Sequence, residues 1–390
     1  MSFSVLLSVS CAALAAGFLI SWLLTSLIRR MAVRMDFVDQ PGQRKVHDTI
    51  IPLGGGLAIW ASVLSVLAGL YLIIALNPTW LTSGRVFFGP LIAQHRSGVL
   101  ERLGDVLAVL GLATAMMSVG LVDDWRGLGW PVRLGLQIVA ALIVACGMGW
   151  RLTLFVEHQW ITTVLTVFWI VGLVNSFNML DNMDGLSAGL ASISSAMLAV
   201  VLLMPPYPES TGPQLFVAGF LWVLVGSLLG FLCHNFPRAR IFMGDAGSYF
   251  VGFCIAIATL LATYTRHDDG RPYMVLAPLC VLAVPLYDTI TVIGIRLRAG
   301  RSPFEGDQNH LSHRLVSLGM SKAGAVGTIY LLTFTCGLGA WLLGNVSGFG
   351  AAVILLIEVC ILVLIGLLEW TALGQRQSTV LKDAGTKSLK

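Results

Sequence analysis

Residues 351–368 read Ala351-Ala352-Val353-Ile354-Leu355-Leu356-Ile357-Glu358-Val359-Cys360-Ile361-Leu362-Val363-Leu364-Ile365-Gly366-Leu367-Leu368, with one charge in the whole stretch. A helix crosses the hydrocarbon core of a bilayer in about 20 residues, so this run has the length and polarity of a span. Similar runs lie at roughly 4–28, 51–76, 105–122, 133–149, 160–177, 185–204, 214–233, 247–264, 272–295 and 322–343, and with 349–370 they predict eleven crossings. Of the 390 residues, 56% are hydrophobic and 11% charged. Soluble domains carry about 25% charged residues, so this chain cannot coat an aqueous surface of its own size. Disorder, collagen, coiled coil and nucleic-acid binding are excluded, since each needs a polar excess, a short period or a basic face. The expected fold is an all-α polytopic membrane protein forming one domain over 1–390, without internal repeat or linker.

Sidedness follows from the basic residues. The first run lacks a basic leader and is followed by Arg29 and Arg30, which predicts an uncleaved anchor with its N-terminus outside. Eighteen Lys and Arg then fall on the cytoplasmic side and six (Arg85, Arg96, Arg102, Arg151, Arg266, Arg271) outside, a bias that needs an odd number of crossings and a cytoplasmic C-terminus. The stretch 77–104, with Asn77-Pro78 and Gly89-Pro90, is expected to be irregular or interfacial, and 371–390 a solvated tail. The seven cysteines (Cys11, Cys146, Cys233, Cys254, Cys280, Cys336, Cys360) stand singly, so neither a disulfide framework nor a zinc site is readable.

Most acids near span ends collect on the cytoplasmic side. Asp123 and Asp124 close the third span; Asp181 and Asp184 sit between the fifth and sixth in Asn178-Met179-Leu180-Asp181-Asn182-Met183-Asp184-Gly185; Asp245 precedes the eighth in Gly244-Asp245-Ala246-Gly247-Ser248. Asp288 lies toward the inner end of the ninth span, where it either pairs within the bundle or snorkels, and Glu305, Asp307, His310 and His313 follow. Glu358, deep in the last span, reads as a packing or protonated residue. Clustered carboxylates at a membrane boundary repel one another and resist desolvation unless a cation is shared. Magnesium takes one or two carboxylates plus water and phosphate oxygens, the inventory of phosphoryl transfer. Gly185, Gly244 and Gly247 would let backbone amides and helix N-termini approach a diphosphate.

The succession of motifs resembles the polyprenyl-phosphate N-acetylhexosamine-1-phosphate transferases. The matching pieces are Val38-Asp39-Gln40-Pro41 through Arg44-Lys45-Val46-His47 to Pro52-Leu53-Gly54-Gly55-Gly56; Asp123-Asp124; the stretch from Asn178 to Gly185; Asn235-Phe236-Pro237 through Phe242 to Ser248; Pro285-Leu286-Tyr287-Asp288-Thr289; and Gly300-Arg301-Ser302-Pro303-Phe304 through His310-Leu311-Ser312-His313-Arg314-Leu315. They run in order over about 38–315.

The resemblance implies transfer of a sugar-1-phosphate from a UDP-N-acetylhexosamine to undecaprenyl or another polyprenyl phosphate, releasing UMP with Mg²⁺, or Mn²⁺ as the alternative. It implies Asp245 as the metal ligand and Asp123 or Asp124 as the base or orienting group, with Asp123 the preferred proton acceptor. Asn178, Asp181 and Asp184 would line the nucleotide site, while Lys45, Asn235, Arg301, His310 and His313 would bind diphosphate or sugar. Three departures stand out. Trp125-Arg126 follows the acid pair, leaving the cationic role to Arg126 or Arg133; Asn182 replaces a usual glycine; and Ser312 stands in a motif that usually holds a further histidine. The arrangement resembles the N-acetylglucosamine branch, acting in the bacterial inner membrane with its site on the cytoplasmic face at the start of a cell-envelope polysaccharide. The same reaction on UDP-MurNAc-pentapeptide or UDP-N-acetylfucosamine is the nearest alternative. A cation-coupled transporter is the alternative of another class, though it would place its acids at mid-membrane and show repeats. The apolar outer face is compatible with a homodimer as well as with lipid.

Overall fold

The computed structural model describes residues 3–40, 50–76, 89–152, 156, 158–204, 214–266 and 272–387. In chain order the helices are α1 (Phe3–Arg34), α2 (Gly55–Leu76), α3 (Gly89–Glu101), α4 (Leu103–Arg126), α5 (Trp130–Leu142, closed by a π turn Ile143–Gly147), α6 (Gln159–Leu180), α7 (Leu186–Leu203), α8 (Leu215–Asn235) and α9 (Gly244–Arg266). After a 3₁₀ turn at Pro272–Leu276 come α10 (Ala277–Val281), α11 (Ala283–Arg298), α12 (Leu311–Ser317), α13 (Lys322–Leu343) and α14 (Gly348–Lys387). The sole β pairing among the described residues is a two-residue antiparallel ladder, β1 (Val38–Asp39) with β2 (Ile51–Pro52).

Among the described residues ten helices are long and apolar enough to cross a membrane, and the bent pair Tyr273–Val281 and Ala283–Arg298 supplies an eleventh if counted as one span. The ninth expected span is therefore not one straight helix but two pieces meeting at 69°. Its break is local chemistry. Pro285 has no N–H to offer the carbonyl four residues back, that of Val281, and the Ser194 hydroxyl of α7 donates to that carbonyl instead at 3.2 Å. Within 77–104 the described part from Gly89 is the helix α3, and the helix of the last span runs on to Lys387.

Helix α9 is the centre of the bundle, with Tyr249, Phe250 and Phe253 wholly buried. Backbones approach closely around it, as small residues allow inside a membrane. A Cβ placed on Gly56 of α2 would stand 2.1 Å from the amide nitrogen of Gly247, and one on Gly120 of α4 2.2 Å from the carbonyl oxygen of Asp245. Glycines at these crossings let α2 and α4 clamp the first turn of α9. Similar contacts seat α1 on α8, where Gly226 and Gly230 face the carbonyls of Leu14 and Phe18.

Candidate functional site

The first turn of α9 gathers the motifs. Gly244 takes φ +73°, a left-handed conformation that favours glycine, and the turn presents its free amides to the C-terminal end of α4. Both oxygens of Asp124 cap it: Oδ1 accepts from the N–H of Asp245 at 2.9 Å and Oδ2 from that of Ala246 at 3.1 Å. A carboxylate on free helix amides is favoured by hydrogen bonding and by the helix dipole. Asp124 thereby ties the end of α4 to the first turn of α9.

Asp123 faces differently. It is buried, its Oδ1 accepts from the N–H of Leu128 at 2.7 Å, and its Oδ2 accepts from Arg133 at 2.9 Å and from the Tyr249 hydroxyl at 3.1 Å. The same Arg133 nitrogen lies 3.9 Å from Asp245. Between the two cationic candidates the structure thus selects Arg133, while Arg126 is exposed. Tyr249 was not singled out in the sequence; its place four residues after Asp245, one helical turn on, was the available signal.

Asp245 accepts from the Asn178 amide at 2.6 Å, and the same amide reaches Ser248 Oγ at 3.1 Å. Asn178 closes α6, so two separate motifs meet here. Asp181, just beyond α6, keeps some solvent contact, yet desolvation by the surrounding protein and the nearby Asp124 charge push its carboxyl up to about 7 against the bond from the Gly244 N–H. Asp184 accepts from the Ala239 N–H at 2.9 Å. Asn235 is spent internally: its oxygen accepts from Gly185 N–H at 2.7 Å and its nitrogen donates to the Ile241 carbonyl at 2.8 Å, both buried. These bonds brace the 236–243 loop.

The last motif joins from the other side. His310 Nδ1 meets Asp288 Oδ2 at 2.8 Å, the other Asp288 oxygen accepts from Leu311 N–H at 2.5 Å, and Asp288 is fully buried. The open reading of Asp288 thus resolves to pairing. His313 lies with its ring 6.4 Å from that of His310, and burial followed by that neighbour lowers its pKa. Ser312 donates to Asn182 Oδ1 at 2.6 Å, so two of the departures noted in the sequence touch each other. The loop between α11 and α12 is pinned by Arg296, bidentate on Asp307 at 3.1 and 3.2 Å, and by buried Arg314, whose Nε reaches Glu369 of α14 at 3.0 Å. Arg301 is exposed on this loop, and Lys45 lies outside the described residues. Glu358 sits against Gly339 in the body of α14, apart from this cluster.

Among the described residues no three His, Cys, Asp or Glu side chains form a ready metal cage. The donor chemistry nevertheless fits a hard cation that keeps water and phosphate ligands. Asp245 stands in the Gly244 turn and Asp181 accepts from the Gly244 N–H, and the desolvation that raises Asp181, with the charges of Asp124 and Asp184 added to it, is a cost such a cation would offset.

A sequence profile of glycosyl transferase family 4 matches residues 106–263. The chain is 32% identical over 333 residues to a probable undecaprenyl-phosphate N-acetylglucosaminyl 1-phosphate transferase of Bacillus subtilis, covering 83% of this chain and 82% of that protein. It is 35% identical over 332 residues to the decaprenyl-phosphate N-acetylglucosaminephosphotransferase of Mycobacterium leprae, covering 80% and 78%. With the undecaprenyl-phosphate alpha-N-acetylglucosaminyl 1-phosphate transferase of Escherichia coli K12 it shares 28% identity over 318 residues, covering 80% and 78%.

Proposed function

The chain belongs to glycosyl transferase family 4, and from that premise we propose that it transfers N-acetylglucosamine-1-phosphate from UDP-N-acetylglucosamine to undecaprenyl phosphate, releasing UMP. The observation that carries the proposal is the convergence on the first turn of α9 of Asp123 with Arg133 and Tyr249, Asp245 with Asn178, and the capping Asp124. In the transfer, an oxygen of the lipid phosphate attacks the phosphorus bearing the sugar. One phosphoanhydride forms, the one to UMP breaks, and UMP leaves with the bridging oxygen.

Both substrates are anionic, so bringing them together matters more than strong base catalysis. Arg133, between Asp123 and Asp245, supplies positive charge where the two phosphates meet. Asp123, held by three donors, orients the lipid phosphate and accepts its proton when the monoanion binds. Asn178 and Asp184 line the nucleotide side, and His310, held by Asp288, contacts the diphosphate or sugar. Asp245 with Asp181 would hold Mg²⁺, which supplies Lewis-acid neutralisation of the diphosphate when bound. The basic ends of the helices on this face support a cytoplasmic site in a bacterial inner membrane, at the first membrane step of a cell-envelope polysaccharide.

Release of labelled UMP from UDP-N-acetylglucosamine, UDP-MurNAc-pentapeptide and UDP-N-acetylfucosamine, each with undecaprenyl phosphate and Mg²⁺, tests the reading. The first sugar nucleotide should give at least tenfold faster release than the others. Faster release from another donor would reassign the sugar, and no release from any would remove the enzymatic reading.

A further inference from the structure

Beyond the catalytic cluster, a cavity of about 620 Å³ opens where α1 ends, lined by Arg29, Arg30 and Arg34 of α1, Arg240 of the 236–243 loop, and Val33, Ile50, Ile51, Pro52 and Ala239. Among the described residues its lining includes four guanidiniums and no carboxylate. None of the four forms an ion pair among the described residues, and Arg240 donates to the carbonyl of Cys233 at 3.1 Å. Four like charges around one cavity repel unless an anion is shared. Asp123, Asp245 and Asn178 take no part in the lining, so this basic cavity is a separate pocket that adjoins the catalytic cluster through Ala239 and Asp184.

The setting identifies the anion. Up α1 from the cavity, Trp22, Leu23, Leu27 and Met31 are exposed large apolar residues, and Val33 and Ile50 in the lining are exposed too, Ile50 to 62%. That is a surface for acyl chains, with arginines at the level where headgroups lie. We propose that the cavity binds the phosphate head of an anionic glycerophospholipid, its phosphodiester between Arg30, Arg34 and Arg240 and its glycerol against Val33, Ile51 and Pro52. The occupant would brace the catalytic turn. Pro52 accepts from the N–H of Phe242 at 2.9 Å, and Ala239 donates to Asp184 at 2.9 Å, so the cavity wall and the α9 entry loop are one hydrogen-bonded unit.

Native mass spectrometry of the full chain in detergent tests this, with phosphatidylglycerol, phosphatidylcholine, undecaprenyl phosphate and inorganic phosphate as probes. Wild type should retain one phosphatidylglycerol above the phosphatidylcholine background, and neither inorganic phosphate nor undecaprenyl phosphate should displace it at equal concentration. Arg30→Gln with Arg34→Gln should weaken retention by roughly 30-fold, since each basic residue near an anionic lipid surface contributes about a fivefold factor. Arg30→Lys with Arg34→Lys should keep most of it. If the Gln pair proves unstable, Arg240→Gln alone should give roughly a fivefold loss. Equal retention by wild type and the Gln variants would overturn the proposal. So would equal binding of phosphatidylcholine, or displacement by inorganic phosphate or undecaprenyl phosphate, either of which would assign the cavity to another anion.

Discussion

Replacing Gly120 by Ala puts one methyl group where α4 crosses the first turn of α9. The added Cβ would stand 2.2 Å from the Asp245 carbonyl oxygen, 2.4 Å from its carbon and 2.5 Å from the Ala246 nitrogen, all backbone atoms with no rotamer to yield. Real Cβ atoms essentially never come nearer than 3.0 Å, so going from 2.2 to 3.0 Å moves α9 off α4 by roughly 0.8 Å. Asp124 sits on α4 and its two acceptor bonds end on α9 at 2.9 and 3.1 Å, so that movement stretches both. Overpacking of this kind costs about 1–3 kcal/mol, and misplacing reacting groups by about 1 Å can cost on the order of 100-fold in rate. Gly111 lies on the same helix, with nothing within 4 Å of a Cβ placed there. Gly111→Ala should leave activity alone and raise stability slightly, since Ala is favoured over Gly in a helix by up to about 1 kcal/mol. The assay is UMP release at saturating substrates, with the melting temperature of each variant read in the same detergent. The reasoning fails if Gly120→Ala keeps both wild-type turnover and wild-type melting temperature, or if Gly111→Ala is as damaging.

Asp123→Asn should lower kcat on the order of 10²-fold with little change in melting temperature; full turnover at saturating Mg²⁺ would remove Asp123 from the reaction. Asp288→Asn should cut kcat/KM by about tenfold or more by releasing the ring of His310 from its set orientation. Combined with His310→Ala it should do no further harm, and additive losses would show that the two act separately. For Asp307, burial alone would raise the pKa, but the bonds from Arg296 and Asn309 win and hold it down to about 2. A depressed carboxylate stabilises fully above its unfolded pKa near 4 and loses that contribution as pH falls through about 2, here roughly 2 kcal/mol. The melting-temperature gap between wild type and Asp307→Asn should therefore be constant above pH 5 and narrow below pH 4; a gap that widens in acid would contradict this.

Hydropathy alone, in runs such as 351–368, established that the chain lives in lipid, and the ordered motifs established its family. Those are properties of composition and order along the chain. The same reading placed Asp123, Asp124, Asp181, Asp184 and Asp245 at one end of the bundle, because span counting settles which connections share a side. It could not divide the labour among them. Asp124 and Asp245 are 121 residues apart and Asn178 and Asp245 are 67 apart, so which helix end lies beside which is decided only by lateral packing. That packing turned Asp124 into a cap, Asn235 into an internal brace and Asp288 into the partner of His310, and it chose Arg133 over Arg126. It also paired Asn182 with Ser312 across 130 residues. A single sequence records that two positions are unusual, but only the fold brings their side chains within a hydrogen bond of each other.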